Sequence, residues 1–266
     1  MRWLLVVAVA LGCASPPPPA PLEYRTVAQP VDVESLSAVE ALGYRLYLRD
    51  IVASRSTDAA LASVDLRSTG ALGWIVVQTG DQYVTRFIDG SSRSVVDVFT
   101  DPFSNTYPRV TRRYPPEPLG ERETAMWRAR QLASSQEFRA CSDRYNTVVV
   151  PASSEPGSDW FVYLLAATVE PNLIMLGGHH RYRVDPLGTR IIERFPMTKS
   201  CMTARYDETM AMMSMSHIVS GAPIESHVYL SLIHDIPLSV IVMQTEELFR
   251  IEDGRVHQTP FKPPDR

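Results

Sequence analysis

The hydrophobic period of this chain changes from that of a helix to that of a strand, and the change limits the folds open to it. Residues 31–54 carry Val39, Leu42, Leu46 and Tyr47 at helical spacing, with Arg45 and Arg49 between them. Ser37 and Glu40 are placed for a capping box, in which each side chain satisfies an exposed backbone amide at the helix start. Residues 57–64 suit a short second helix. From Ala71 the period becomes two. Residues 73–77, 83–88 and 95–99 read as strands, with turn signals at Gly80-Asp81 and Gly90-Ser91-Ser92, and together they predict an antiparallel meander. Residues 101–118 read as a loop rich in proline and arginine. Arg109, Arg112 and Arg113 stand there beside Tyr107 and Tyr114; such a fork can hold phosphate or carboxylate, and a solvated loop with aromatic stacking is the simpler reading. Residues 121–140 give the clearest helix, with Ala125, Met126, Ala129, Leu132 and Ala133 as its apolar stripe and Glu121 and Glu123 complementing its dipole.

Beyond Asn146 the pattern is mostly β. Residues 147–150, 160–168, 173–184, 190–195, 214–219, 225–234, 238–244 and 248–251 all suit strands, and Pro186-Leu187-Gly188 suits a hairpin turn. The connections are short, so neighbouring strands are expected to run antiparallel. Helices come early and strands dominate late, which predicts an α+β fold: N-terminal helices and a β-meander packed with a mainly antiparallel C-terminal sheet. The expected organisation is a signal peptide at 1–12, a linker at 13–30, the helical and meander region at 31–140, the β-rich region at 141–258 and a polar, proline-rich tail at 259–266.

The start of the chain has its own logic. Met1 and Arg2 are followed by an unbroken apolar run from Trp3 to Leu11. Spanning a bilayer takes roughly 20 apolar residues, about twice this run. A charged start, a short apolar core and small residues at its end describe an export signal. Ala10-Leu11-Gly12-Cys13 resembles the lipobox of bacterial lipoproteins. The resemblance implies cleavage before Cys13 and attachment of acyl chains such as palmitate to it. The usual motif has leucine where this chain has Ala10, so ordinary cleavage after Ala14 is the alternative. A non-acidic Ala14 implies the outer membrane, facing the periplasm. Ser15-Pro16-Pro17-Pro18-Pro19 opens a stiff polyproline spacer. The expected partners are therefore the membrane, through the lipid, and an envelope protein.

Exclusions come from charge and motifs. A net charge of −4 argues against a nucleic-acid partner, which would need a basic face. Beyond Cys13, the chain has Cys141 and Cys201. In an exported protein these can pair, closing a loop worth about 3 to 4 kcal/mol, or stand as two buried small hydrophobes. There is no HExxH, no GxSxG, no glycine-rich phosphate loop and no dinucleotide fingerprint, so no cofactor is expected and no catalytic residue is assigned. Ser216-His217 and Ser226-His227 are strand neighbours whose side chains diverge. His179-His180, after Gly177-Gly178, point to opposite faces for the same reason. His217 and His227 meet if residues 214–230 form a hairpin; Glu225 then shares a face with His227, and a His–His–Glu set suits zinc. Met210, Met212, Met213 and Met215 precede His217. Thioethers suit copper(I), with Met213 and Met215 as candidate ligands, although alternate methionines also fill a half-buried strand.

Two segments carry a further resemblance. The stretch from Trp160 to Thr168 leading into Gly177-Gly178-His179-His180-Arg181-Tyr182-Arg183 is one. Lys199-Ser200-Cys201, Ser216-His217, Pro223-Ile224-Glu225-Ser226-His227-Val228-Tyr229 and Pro237-Leu238 form the other. Across Val148 to Arg255 they resemble a group of uncharacterised bacterial exported proteins, a resemblance that implies no activity. The leading expectation is a non-enzymatic envelope lipoprotein that binds a partner or supports an assembly. The alternative is a metal-dependent hydrolase or a periplasmic copper-handling protein using His217, His227, Glu225 and the methionines.

Overall fold

A computed structural model describes residues 33–260, so Cys13, the leader and the linker lie outside the described residues. The first element is one helix, α1 (Val33–Ser63), where two were expected. No glycine or proline separates residues 54 and 57, and the intervening hydroxyls support the helix. Thr57 Oγ1 donates to the Ala53 carbonyl, and buried Ser56 shares hydrogen bonds with Thr85 and Thr100. The helix meets different partners along its length. Leu42 and Leu46 enter the core of the C-terminal half, while Ala59 and Ala60 pack on the meander. A helix serving successive partners has no single apolar face, which is why its stripe is hard to follow in sequence.

The meander forms as expected from β1 (Ala71–Thr79), β2 (Gln82–Asp89) and β3 (Arg93–Thr100). A fourth strand, β4 (Arg109–Pro118), occupies much of the stretch expected to be a loop. It is the sheet's outer strand, where Pro115, Pro116 and Pro118 remove no ladder bond from a further neighbour. Arg113 of β4 is not part of an open fork; it binds the buried Asp97 carboxylate and Glu117.

Helix α2 (Glu121–Ser134) stops short of the expected end and is followed by a loop bearing Cys141. Ala125, Ala129 and Ala133 let it lie close on a second antiparallel sheet. That sheet comprises β5 (Arg144–Pro151), β6 (Trp160–Ala167), β8 (His180–Val184) and β9 (Ile191–Pro196), in the order 5-6-8-9. The expected strand 173–184 is split by Gly177-Gly178 into β8 and a short β7 (Leu173–Met175), which leaves the sheet to pair with β10 (Thr203–Arg205).

The last unit corrects the sequence reading most. Glu225–His234 is a helix, α3, not a strand. It connects β11 (Met213–His217) to β12 (Leu238–Val242), which run parallel. β13 (Glu247–Glu252) and β14 (Arg255–Thr259) complete the sheet antiparallel. Residues 225–231 are all buried, so the helix has no polar face to mark its period. The fold is α+β, with three α-helices among the described residues. The regions 31–140 and 141–258 share cores: α1 side chains join the C-terminal cluster, and Ile75 and Ile88 join the cluster around α2 and the second sheet. No helix among the described residues is long and apolar enough to cross a membrane.

Gly43 fixes the crossing of α1 and α3. A Cβ there would lie 2.5 Å from Val228 Cβ and 2.8 Å from the Glu225 carbonyl oxygen. Gly43→Ala is expected to cost about 1–3 kcal/mol by overpacking, read as a lower urea midpoint with an unchanged slope.

Candidate functional site

Two sets of residues singled out in the sequence come near each other. The first is the cysteine pair. Cys141 and Cys201 form a disulfide, with Cα atoms 5.3 Å apart across 60 residues. Gly177 and Gly178 make room for it. Gly178 has φ +84°, and a Cβ on it would lie 2.4 Å from Cys141 Cβ; a Cβ on Gly177 would lie 2.5 Å from the Ser200 carbonyl oxygen. The Gly178 N–H donates to Thr198 Oγ1 at 2.8 Å. The glycine pair thus presses the 198–202 segment and the bridge against the second sheet, in register with its break.

Beside the bridge lies a cavity of about 290 Å³. Phe195, Pro196, Val219 and the disulfide give it an apolar lining, and Arg139, Lys199 and His180 bring the polar groups. Neither Arg139 nor Lys199 has a carboxylate partner among the described residues. His180 hydrogen-bonds to the Arg139 backbone, while its Nε2 is buried without a partner. Burial lowers its pKa, so the positive charge at neutral pH comes from Arg139 and Lys199.

The second set is His217, His227 and Glu225. Met213, Met215 and His217 share the inward face of β11, alternating with exposed Ser214 and Ser216. From α3, the His227 ring meets that of His217 edge-on, with centroids 4.6 Å apart. The expected meeting of the two histidines is found, through a β–α–β crossover rather than a hairpin. Hydrogen bonding fixes their protons. The Ile224 N–H donates to His227 Nδ1 at 3.1 Å, and the His227 N–H donates to the Ile224 carbonyl at 2.9 Å. A neutral His227 therefore carries its proton on Nε2, leaving no lone pair there for a metal. His217 Nε2 lies 2.6 Å from Ser220 Oγ, whose hydroxyl donates to the Ala222 carbonyl at 2.8 Å. With the serine proton so placed, His217 Nε2 donates, and the pair ties the 218–224 loop down. Its hydroxyl proton is engaged by backbone, which is a poor arrangement for a nucleophile and base.

Glu225 is engaged by other partners. It accepts from the Tyr163 hydroxyl at 2.9 Å and from Arg181 Nη1 at 2.7 Å. Two members of the expected zinc set are thus engaged otherwise, His227 in capping and Glu225 in an internal ion pair. Among the described residues, no three of His, Cys, Asp and Glu are arranged to hold a metal ion. The copper reading loses His227 for the same reason, and Met213 and Met215 are part of the main core. Arg181 also stacks between Phe161 and Phe195, 4.7 Å from each ring, so the Glu225 network stands behind one wall of the cavity.

His179, by contrast with His180, is a satisfied core group. Its Nδ1 accepts from the Ala166 N–H at 3.0 Å and its Nε2 donates to the Met175 carbonyl at 3.1 Å. Burial lowers His179 and His217 to about 4, the latter against a smaller opposing pull from Glu225, and holds His227 well below the ordinary histidine value. Sequence reasoning missed Arg139, Phe195 and Val219 as cavity residues, and Ser220 as the partner of His217. Only the turn-forming Ser220-Gly221 after a strand hinted at the last of these. Compared with known proteins, the chain matches no protein-family model, no curated protein and no solved structure.

Proposed function

We propose that this is a non-enzymatic binding protein of the cell envelope, lipid-anchored at Cys13 to the outer membrane, whose cavity beside the Cys141–Cys201 bridge receives a small apolar molecule with one acidic end. The observation that carries the reading is the cavity's lining: apolar walls with two cations that have no carboxylate partner among the described residues. Small-molecule sites have this composition, with an apolar body and a few placed polar groups. The bridge supports an exported setting, since disulfides persist in oxidising compartments. The anchor itself rests on the lipobox resemblance.

The test is calorimetric titration of the full chain with hexanoate, octanoate and decanoate, against the alcohols of the same length. The acids are expected to bind more tightly than the alcohols. Arg139→Gln and Lys199→Gln should each weaken an acid by about tenfold, the worth of one charge-assisted contact, and leave the alcohols unchanged. Equal affinity for acid and alcohol, or no binding of either, would end the proposal. Native lipoprotein analysed by mass spectrometry should carry acyl chains on Cys13; an unmodified Cys13 would end the anchoring part alone.

A further inference from the structure

We propose that a second cleft, floored by Arg49 and rimmed by Arg122, binds the oxyanion of a small, partly apolar molecule. The cleft measures about 470 Å³ and lies between β1 and α2. It shares no lining residue with the cavity beside the disulfide. Val76, Gly80, Met126 and Trp160 give it form.

Arg49 carries the inference. It projects from α1, and the residue is only 5% exposed. Its Nε is buried without a hydrogen-bond partner. Nη1 makes one long contact, 3.5 Å to the Arg45 carbonyl, and the guanidinium lies 5.9 Å from the Tyr83 ring. It has no carboxylate partner among the described residues, and the acid next in sequence and the acid of the cleft wall are bound elsewhere. Asp50 takes the Tyr229 hydroxyl and the Asn146 amide. Glu123, on the cleft wall, takes Arg86 at 2.9 Å and the Gly120 N–H at 3.0 Å.

Two other enclosed arginines show the usual solution. Arg181 is matched by Glu225, and Arg130 donates to the Thr147 carbonyl and covers Trp74. Arg49 has neither. Burial lowers its pKa to about 10, so it still holds a full charge at neutral pH. A buried cation without a counter-charge is costly, and a bound anion relieves that cost. Arg122 adds a second guanidinium, 5.0 Å from the Trp160 ring and without an ion pair among the described residues. Two guanidiniums with an aromatic wall suit a phosphate or carboxylate on an apolar body, since guanidinium binds either in a bidentate fork.

The test uses phenyl phosphate and benzoate on the full chain, with sodium chloride at matched ionic strength as the control. Thermal unfolding should shift upward with either probe and not with chloride, and the tighter of the two identifies the preferred head group. Arg49→Met should abolish the shift and leave the unliganded midpoint no lower than that of the natural chain, because it leaves no carboxylate unpaired and gives up only one long carbonyl contact and a distant ring. Arg122→Gln, at an exposed position, should weaken binding about tenfold by calorimetry. Arg139→Gln and Lys199→Gln should change nothing here. A chloride-sized shift, a full response retained in Arg49→Met, or an unaltered affinity in Arg122→Gln would overturn the proposal. The Arg122 variant keeps it testable if Arg49→Met fails to fold.

Discussion

Acidification from pH 6.5 towards pH 4 is expected to unfold the protein in one cooperative step, centred above the range in which carboxylates alone titrate. Three histidines drive it. His179, His217 and His227 are at most 2% exposed and are held neutral, with burial placing the first two at about 4 and holding the third well below the ordinary histidine value. In the unfolded chain each returns to about 6.5. Below that value the unfolded state binds protons that the folded state refuses. Stability is therefore fully present above pH 6.5 and is lost as the pH falls towards the folded values. The loss saturates only at and below about pH 4. Each group contributes up to about 1.4 kcal/mol per pH unit, so three together approach about 4 kcal/mol per unit. A typical domain has about 5–15 kcal/mol to lose. Asp50 acts with the opposite sign, since burial raises its pKa and the folded state then takes the proton more readily. One carboxyl offsets only part of the effect of three imidazoles. Tryptophan fluorescence and far-ultraviolet dichroism against pH should share a midpoint between pH 4 and 6. His217→Gln should move it downward. A chain still fully folded at pH 4 would refute the assignment of these rings as neutral core groups.

How far the sequence reveals such a core depends on where the partners lie. The meander is legible because each strand pairs with the next and one face alternates, as in Tyr83 to Ile88. Helix α2 is legible because it keeps a polar face. Helix α3 is not, because every residue from Glu225 to Ser231 is buried and a run rich in apolar side chains reads equally as strand. Strand β4 was hidden by prolines that an outer strand tolerates. Part of the candidate site could be read: the two cysteines, and the meeting of His217 with His227. The purpose of Glu225 could not. Its partners, Tyr163 and Arg181, are 62 and 44 residues away, and no local pattern links them. Arg49 sits between apolar helix positions as any solvated arginine does, so its burial becomes visible only when β1 and α2 close over it.

Glu225→Ala is expected to destabilise the fold by about 3–5 kcal/mol, because it leaves a buried guanidinium without its counter-charge. The Glu225 side chain is 3% exposed and that of Arg181 17%, at 2.7 Å. Glu193 lies 3.9 Å from Arg181, but it is 41% exposed and cannot stand in for the loss. The Tyr163 hydroxyl, fully enclosed, loses its acceptor in the same stroke. Glu225→Gln keeps an acceptor for both donors and removes only the charge, so it should fall between alanine and the natural residue. The decisive comparison is the double variant Arg181→Met with Glu225→Leu. Replacing a whole buried ion pair by packed apolar groups is often neutral, whereas halving it is not. The double variant should therefore be more stable than Glu225→Ala, and a urea-unfolding cycle should show a coupling of about 1–3 kcal/mol. A loss below about 1 kcal/mol in Glu225→Ala, the level of a surface pair, would mean that water reaches Arg181 and that the pair is not a core element. Because Arg181 also stacks on Phe195, the same variants should loosen the cavity wall. Octanoate binding in Glu225→Ala should then weaken, while phenyl phosphate binding at Arg49 should not.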